Sequence, residues 1–314
     1  MYGFFKKVVV ADNIARFVSA AIETGPGVPP IECGAFWWLT MLLFAYQIYC
    51  DFSGYSDIAR GLGKWMGYEF PLNFDHPYIA DSFRNFWQRW HISLSTWFRD
   101  YVYIPLGGSR KGPGPAMVFM TITMVVSGLW HGAAWTFVLW GALHAAYLAF
   151  ERLTRWPAHV KRMPFIGRHV AVLLVFLLTL VSWVPFVSKS ITQAGQILAL
   201  MFDPSRFVNI GAIPDDALVT NEVVNILLFI IARQLWFHFR LDSRRRWVRW
   251  LTVAALGRPF RPKAGFASLR ARAARASRVL AVVESVGEPF AIACLVVLAV
   301  YMRGPGTAFI YFQF

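Results

Sequence analysis

Long apolar stretches separated by shorter polar ones dominate the pattern of this chain. They cover residues 35–50, 116–130, 133–150, 169–187, 223–239 and 290–301. Apolar stretches that approach 20 residues are typical of helices that cross a membrane. The pattern therefore predicts an all-α, polytopic integral membrane protein in which residues 1–314 form a single embedded domain.

Three segments of mixed polarity predict other elements. Residues 1–25 predict an amphipathic or connecting helix, because Asp12 and Asn13 interrupt the apolar core that a signal peptide needs. Residues 51–74 are rich in glycine and predict a broken helix followed by a loop. Residues 188–222 carry four acids and little positive charge, which predicts a loop on the outer side of the membrane.

Residues 81–105 repeat aromatic side chains at three- and four-residue spacing, with arginines at other positions. This combination predicts an amphipathic helix that is interfacial or re-entrant rather than spanning. The basic turn that follows at residues 107–114 is expected on the cytoplasmic side. The next two apolar stretches are hinged at His131 and Gly132, which predicts a membrane hairpin that presents His131.

Composition strengthens the membrane assignment. The chain is 57% hydrophobic and 15% charged, with a mean hydropathy of +0.47, whereas soluble domains carry about 25% charged residues. The net charge of +14 is concentrated in residues 240–285. A basic loop between apolar helices is what the positive-inside rule produces, so this segment predicts a cytoplasmic loop facing the lipid bilayer. No nucleic-acid recognition motif accompanies the charge, and nucleic acid is not an expected partner.

Residues 82–144 are the predicted active-site core, because ionisable side chains are costly to keep in so apolar a stretch. His91, His131 and His144 lie within it. A histidine can serve as the general base for a hydroxyl nucleophile. The alternative is a packing histidine bonded to a neighbouring carbonyl. The histidine spacing does not match that of metal ligands, and the chain has no G-x-S-x-G, so neither a metal site nor a serine hydrolase is expected.

The positions of the histidines limit which of them can meet. His144 follows His131 by thirteen residues, about 20 Å along an unbroken helix, so the two are not expected to share one reacting centre. His91 precedes His131 by forty residues, and the pattern leaves the distance between them open. Gly128 and Gly132 leave room beside His131 for another backbone or for a substrate.

Several motifs resemble one family. Residues 51–112, which include SFRNFWQRWHISLSTWFRDYVYIPLGG, and the later SGLWHGAAWTFVLWGALH resemble the membrane-bound O-acyltransferase family. The resemblance is to its bacterial alginate O-acetylation branch, and the opening GFFKKVVVADNIA and closing FIYFQF resemble that branch too. It implies a helical bundle with re-entrant or interfacial helices around a polar tunnel.

The resemblance also implies roles for particular residues. His131, in the WHG motif, matches the family's catalytic base, His91 a second polar residue of the active site, and His144 a further histidine of the branch. The implied acyl donor is acetyl-CoA, a substrate rather than a bound cofactor. The acetyl group is expected to cross the bacterial inner membrane to periplasmic acetyltransferase partner proteins, which modify an exopolysaccharide such as alginate.

A donor of this kind needs cations for its phosphates. The candidates are Arg89, Arg99, Arg110 and Lys111, and anchoring to lipid phosphates is the alternative role for each. Asp100 is expected to be the ion-pair partner of Arg99.

The resemblance leaves three matters open. Members of the branch carry several membrane helices before the segment that begins here at Gly3, so a chain shortened at its N-terminus is expected. Transfer of D-alanyl or another acyl group to a different envelope polymer is one alternative. A proton-coupled transporter is another, although transporters are typically built from paired half-repeats, and none is visible here.

Overall fold

The computed structural model describes residues 2–23 and 31–209, and these residues form helices and connecting turns without a β-strand. The all-α prediction is confirmed for them. The predicted helices at residues 223–239 and 290–301 and the basic loop at residues 240–285 lie outside the described residues. The α-helices are α1 (Tyr2–Phe4), α2 (Asp12–Ile22), α3 (Gly34–Trp65), α4 (Phe83–Trp87), α5 (Ile92–Phe98), α6 (Ile104–Leu106), α7 (Pro113–His131), α8 (Trp135–Thr154), α9 (Trp156–Arg162), α10 (Phe165–Val187) and α11 (Ile191–Met201).

The N-terminal helix packs along α3. A π-helical stretch, Phe5–Ala11, joins α1 to α2, so the predicted N-terminal helix is confirmed and runs without a break. Lys7 forms ion pairs with Asp12 at 2.9 Å and with Asp51 of α3 at 2.8 Å. Both carboxylates are buried, so this shared cation compensates charges that would otherwise be costly to remove from water.

α3 is longer than the sequence pattern predicts. It continues through residue 51 to Trp65, about 48 Å in all, so the prediction of a broken helix from residue 51 is wrong. Gly54 does not interrupt the helix because its missing side chain is used for packing: a Cβ there would lie 2.8 Å from the Gly3 carbonyl oxygen. The helix ends two residues before Gly67, whose φ of 84° is the left-handed conformation common just after helix C-termini.

α7 and α8 form the predicted hairpin. Gly132 and the two residues after it separate the two helices, and the chain then reverses so that α8 packs along α7. A Cβ on Gly128 would collide with the carbonyl oxygen of Phe137, and one on Gly141 with that of Met124. Small residues that let two backbones touch are typical of helix pairs in membranes. The space predicted beside Gly128 is therefore filled by another backbone.

Two of the described helices are long and apolar enough to cross a membrane, Pro113–His131 and Ile166–Val187. α7 exposes a row of apolar side chains, Val118, Ile122, Val126 and Leu129. α10 packs against α8 and α3. The exposed row on α7 follows the three- and four-residue spacing of one helix face, which suits contact with lipid.

Residues 81–105 are helical, as predicted, but they are broken into short pieces. α4 ends at Trp87, and α5 begins after His91, whose φ of 43° is left-handed and interrupts the helix. A π-helical turn, Arg99–Tyr103, leads into α6. The aromatic residues Phe83, Phe86 and Trp90 are buried, so the segment is folded into the protein rather than laid on its surface as one rod.

The loop predicted at residues 188–222 is wrong over its first part. α11 occupies Ile191–Met201, and its N-terminus is capped by Ser190, whose side chain accepts a hydrogen bond from the Gln193 N–H. Gln193 Oε1 in turn accepts from the Lys189 N–H. The pair resembles a capping box, except that the second bond reaches the residue before the cap. This helix was not predicted, because the prediction for residues 188–222 rested on the four acids of the whole segment.

Candidate active site

His131 lies at the C-terminal end of α7, at the tip of the hairpin. Its ring is packed among aromatic rings of three helices, with centroid distances of 5.1 Å to Trp140, 5.2 Å to Phe186 and 5.1 Å to Trp130. The tight α7–α8 contact at Gly128 fixes this end of the hairpin one turn before the histidine. Close backbone packing therefore fixes the end of the helix that carries His131.

His144 lies much closer to His131 than the sequence predicts. The rings of both histidines pack on Trp140, with centroid distances of 5.1 Å from His131 and 4.9 Å from His144. The 20 Å estimate assumed an unbroken helix, and the reversal at Gly132 removes that assumption. His144 is completely buried, with Phe83, Phe86, Trp87 and Tyr147 also around it.

His91 joins the same region from the broken segment between α4 and α5. It is 7% exposed, and its ring lies 4.5 Å from that of Phe52 and 6.3 Å from that of Trp130, the neighbour of His131. The rings of His91 and His131 therefore contact the same side chain, Trp130. Folding brings together two histidines that are forty residues apart in the sequence.

Asn73 orients His91 and was not found from the sequence. Its side-chain oxygen lies 3.3 Å from His91 Nδ1 and accepts hydrogen bonds from the Ser93 N–H at 3.2 Å and the Ser93 hydroxyl at 3.0 Å. A proton on Nδ1 shared with this oxygen leaves the lone pair on Nε2. Asn73 sits in a segment assigned only as loop, and nothing in its local pattern points to a site eighteen residues away.

A cavity of about 300 Å³ reaches towards the histidines. Its wall includes Ser127, one helical turn before His131 on α7, and Trp87, whose ring lies 5.1 Å from that of His144. Leu94, Met124 and other apolar side chains make up most of the remaining wall. The inner end of this cavity therefore lies against the cluster of rings that holds His131 and His144.

A second cavity of about 650 Å³ continues outward from the first. The two share Arg84, Tyr103, Met120 and Leu148 in their walls. The outer cavity adds Glu151 and Arg152 from the end of α8 and Arg155, the residue after that helix. No described carboxylate forms an ion pair with Arg84, Arg152 or Arg155. We call this outer cavity, with its three arginines, the basic mouth.

Sequence reasoning missed the basic mouth because its arginines resemble ordinary flanking charges. Arg84 lies on α4, while Arg152 lies on α8. They are 68 positions apart, and only the packing of α4 against α8 brings them to one opening. A basic residue at the end of a membrane helix is otherwise typical of lipid-phosphate anchoring.

The four cations that the sequence predicts to bind the donor do not line the basic mouth. Arg89 donates to the Asp75 carbonyl at 2.9 Å and to the Asn85 side chain at 3.0 Å, which ties down the loop before α4. Arg99 pairs with Asp100 at 2.7 Å, as expected, and this hydrogen bond lowers the pKa of the exposed Asp100 carboxyl. Arg99 also contributes to the wall of the inner cavity.

Two further predicted cations, Arg110 and Lys111, are exposed in the turn before α7, and the Lys111 ammonium lies 5.6 Å from the Phe119 ring centroid. Positive φ angles at Gly107 and Gly108 form this turn. The roles of these cations in donor binding stay predictions. Among the described residues, no three histidine, cysteine or acidic side chains are grouped so that they could hold a metal ion.

The sequence of this chain matches the model of a protein family. The model of the membrane-bound O-acyltransferase family matches residues 1–184, a range that includes the hairpin, all three histidines and the basic mouth. The chain therefore belongs to the membrane-bound O-acyltransferase family.

Individual relatives narrow the comparison. The chain is 44% identical over 202 residues to the probable alginate O-acetylase AlgI of Azotobacter vinelandii, covering 64% of this chain and 39% of that protein. It is 38% identical over 201 residues to the peptidoglycan O-acetyltransferase of Helicobacter pylori, covering 62% and 36%. A teichoic acid D-alanyltransferase of Streptococcus thermophilus is 32% identical over 161 residues, covering 46% of this chain and 39% of its own length. The chain thus spans about two fifths of the length of these curated relatives.

Proposed function

We propose that this protein is an O-acyltransferase that moves an acetyl group from acetyl-CoA to a hydroxyl acceptor within a bacterial inner membrane. The observation that carries the proposal is that the rings of His91 and His131 both contact Trp130, while a cavity with a basic mouth reaches Ser127, one turn before His131. Family membership and the similarity to two proteins named for O-acetyl transfer support it.

His131 is the general base in this proposal. Its imidazole takes the proton of the acceptor hydroxyl as that oxygen attacks the thioester carbonyl of the donor. The tetrahedral intermediate then collapses, the carbon–sulfur bond breaks, and the thiolate leaves and takes up the proton from the imidazolium. His91 lies close enough to bind and orient the acceptor through Nε2, because Asn73 and Ser93 contact its Nδ1.

The two cavities suit the shape of the donor. Coenzyme A carries its phosphates at one end and its thioester at the other, joined by a long and largely uncharged arm. We assign the phosphates to the basic mouth, because guanidinium groups bind phosphate well. The side chains of Arg84, Arg152 and Arg155 form no ion pair with a described carboxylate, and the Glu151 carboxylate in the same wall is bonded to the backbone N–H of Arg84. The arm then follows the inner cavity, and the thioester lies near Ser127.

The acceptor and direction of transfer follow from the same proposal. With the basic mouth on the cytoplasmic side, the acetyl group enters from the cytosol and leaves towards periplasmic acetyltransferase partner proteins. The similarity to the alginate O-acetylase favours an exopolysaccharide such as alginate as the final acceptor. The peptidoglycan O-acetyltransferase relative makes a cell-wall glycan the nearest alternative acceptor.

Replacement of the proposed base tests the reaction. In cells that carry this protein, acetyl transfer should fall by about 10²–10⁴-fold with His131→Gln, the contribution typical of a general base. Polymer-bound acetate and thiol release from acetyl-CoA are the two readouts. His159→Gln is the matched control, because His159 is exposed on α9. Equal acetylation in the two variants, at equal amounts of protein in the membrane, would refute the assignment.

The donor assignment has its own test. Arg84→Gln with Arg152→Gln should raise the KM for acetyl-CoA by about tenfold or more, since two charge-assisted hydrogen bonds are lost. Arg162→Gln is the control, since Arg162 is exposed at the end of α9 and lies outside both cavities. An unchanged KM in the double variant would place the donor elsewhere.

Transfer of D-alanyl instead of acetyl is the second candidate. The observation in its favour is the 32% identity to the teichoic acid D-alanyltransferase. Supplying membranes with either labelled acetyl-CoA or a D-alanyl thioester and following label into polymer separates the two. Incorporation of D-alanine with no incorporation of acetate would replace the first proposal with the second.

A further inference from the structure

Glu151, near the end of α8, is a buried carboxylate with an unusual pair of partners. The residue is 5% exposed. One of its oxygens accepts a hydrogen bond from the Phe83 N–H, and the other accepts from the Arg84 N–H at 3.0 Å. These N–H groups open α4 and have no acceptor within that helix. Burial of a carboxylate is costly unless it is hydrogen-bonded, and here both oxygens are.

The helix that Glu151 holds carries side chains to both ends of the proposed donor path. Arg84 lies where the inner cavity meets the basic mouth, and Trp87 lies in the inner cavity against His144. α4 has only five residues, far fewer than an isolated helix needs for stability. Its orientation must therefore come from what it packs against.

One face of α8 supplies that support. Glu151, Tyr147 and His144 are spaced by four and three residues, so they lie along the same side of the helix. Phe83 stacks on Tyr147 with a centroid distance of 4.3 Å and contacts His144 edge-on at 6.0 Å. The aromatic contacts set how closely α4 approaches α8. The two hydrogen bonds to Glu151 set where along α8 the first turn of α4 lies.

A second tether reaches the residue just before α4. The Asp81 carboxylate pairs with Arg168 of α10 at 3.2 Å, and the Asp81 carbonyl accepts from the Trp156 indole N–H at 3.2 Å. Both contacts hold Asp81, two residues ahead of the first residue of α4. They fix the entry of the chain, while the hydrogen bonds to Glu151 and the aromatic contacts with α8 act on the short helix itself.

We propose that Glu151 is a positioning residue that fixes α4 on α8, so that Arg84 faces the basic mouth and Trp87 closes the inner cavity beside the histidines. The consequence for catalysis rests on the proposed function. Loss of the carboxylate frees the first turn of α4 and displaces Arg84 from the donor phosphates. The KM for the donor rises more than kcat falls, because His131 lies on the hairpin, whose backbone contacts at Gly128 and Gly141 do not involve α4.

A distance measurement tests the positioning without reference to activity. Spin labels at Gln88 of the α4 end and Leu153 of α8, both exposed, report the placement of one helix on the other. Glu151→Ala should broaden the distance distribution, and Glu151→Gln, which keeps one acceptor oxygen, should broaden it less. Glu69→Gln is the matched control, since Glu69 is exposed in the loop after α3. Comparable amounts of folded protein are checked by size-exclusion chromatography in detergent.

Kinetics with acetyl-CoA, measured in membranes that contain the protein, provide the second readout. We expect Glu151→Ala to raise the donor KM by about tenfold and to lower kcat by less, with Glu151→Gln in between. A distance distribution that does not change in Glu151→Ala overturns the positioning role, whatever the kinetics show. If the distribution broadens and neither the wild type nor the variant transfers acetate, the positioning role stands and the proposed function fails.

Discussion

His131 and His91 reach the same region by opposite means. His131 ends an apolar hairpin whose two backbones touch at Gly128 and Gly141, so its position is a consequence of close packing. His91 has a left-handed backbone between short helical pieces, and its Nδ1 lies within hydrogen-bond distance of the Asn73 side-chain oxygen and the Ser93 hydroxyl. The position of His131 therefore depends on how closely the two helices of the hairpin approach. The position of His91 depends on each member of its polar network, Asn73 and Ser93.

The largest effect is expected where the hairpin backbones meet. Gly128→Ala and Gly141→Ala each insert a Cβ against a carbonyl oxygen of the facing helix. Overpacking of this kind costs about 1–3 kcal/mol, and the tip that carries His131 shifts with it. Thermal unfolding in detergent should show a lower Tm, together with reduced acetyl transfer.

Gly61→Ala is the control for those variants, since a Cβ at that position of α3 meets no atom within 4 Å. It should leave the Tm unchanged or raise it slightly, because alanine has the higher helix propensity. Equal Tm values for Gly61→Ala and Gly128→Ala would show that the hairpin is less tightly packed than described.

An intermediate effect is expected in the polar network. Asn73→Ala removes the acceptor shared by His91 Nδ1 and Ser93, and we expect kcat to fall by about tenfold, the equivalent of one net hydrogen bond. Asn73→Asp keeps an acceptor oxygen at that place and should retain more activity. The measurement is kcat for acetyl transfer at saturating donor. The idea fails if Asn73→Ala lowers the donor affinity instead, with kcat unchanged.

The smallest effect is expected at the exposed pair of Arg99 and Asp100. Both side chains are solvent-accessible, at 59% and 40%, and such pairs are screened by water and salt. Asp100→Asn should therefore leave the Tm and the donor KM within error of the wild type. A fall in KM would show that the released Arg99 binds the donor phosphates, as the sequence pattern allowed.

The same contrast explains what the sequence could and could not predict. The hairpin follows from two apolar stretches and a glycine hinge, which are local features, and its prediction is confirmed. α3 was predicted too short because Gly54 looks like a helix breaker, although in the fold it is a contact surface for Gly3. α11 was missed because the charge of a long segment was weighed and its Ser190 cap was not.

The site was predictable only in part. The apolar context singled out His91, His131 and His144, because an ionisable side chain within an apolar stretch can be recognised from its sequence neighbours alone. The convergence of these histidines depends on the chain reversal at Gly132 and on the helix break at His91. Neither feature fixes the distances between the histidines, which are set only when the helices pack. The arginines of the basic mouth lie at opposite ends of the active-site core, so no local pattern connects them.

The ion pairs of Lys7 impose an order on folding while the chain is being synthesised. Lys7 leaves the ribosome long before Asp51, one of the two carboxylates it serves. Until residue 51 has been made, the N-terminal helix holds only the Asp12 half of its arrangement. The N-terminal helix can therefore complete its ion pairs only after residue 51 of α3 has been synthesised. A ribosome that stalls before that residue leaves the N-terminal helix without its contact to α3.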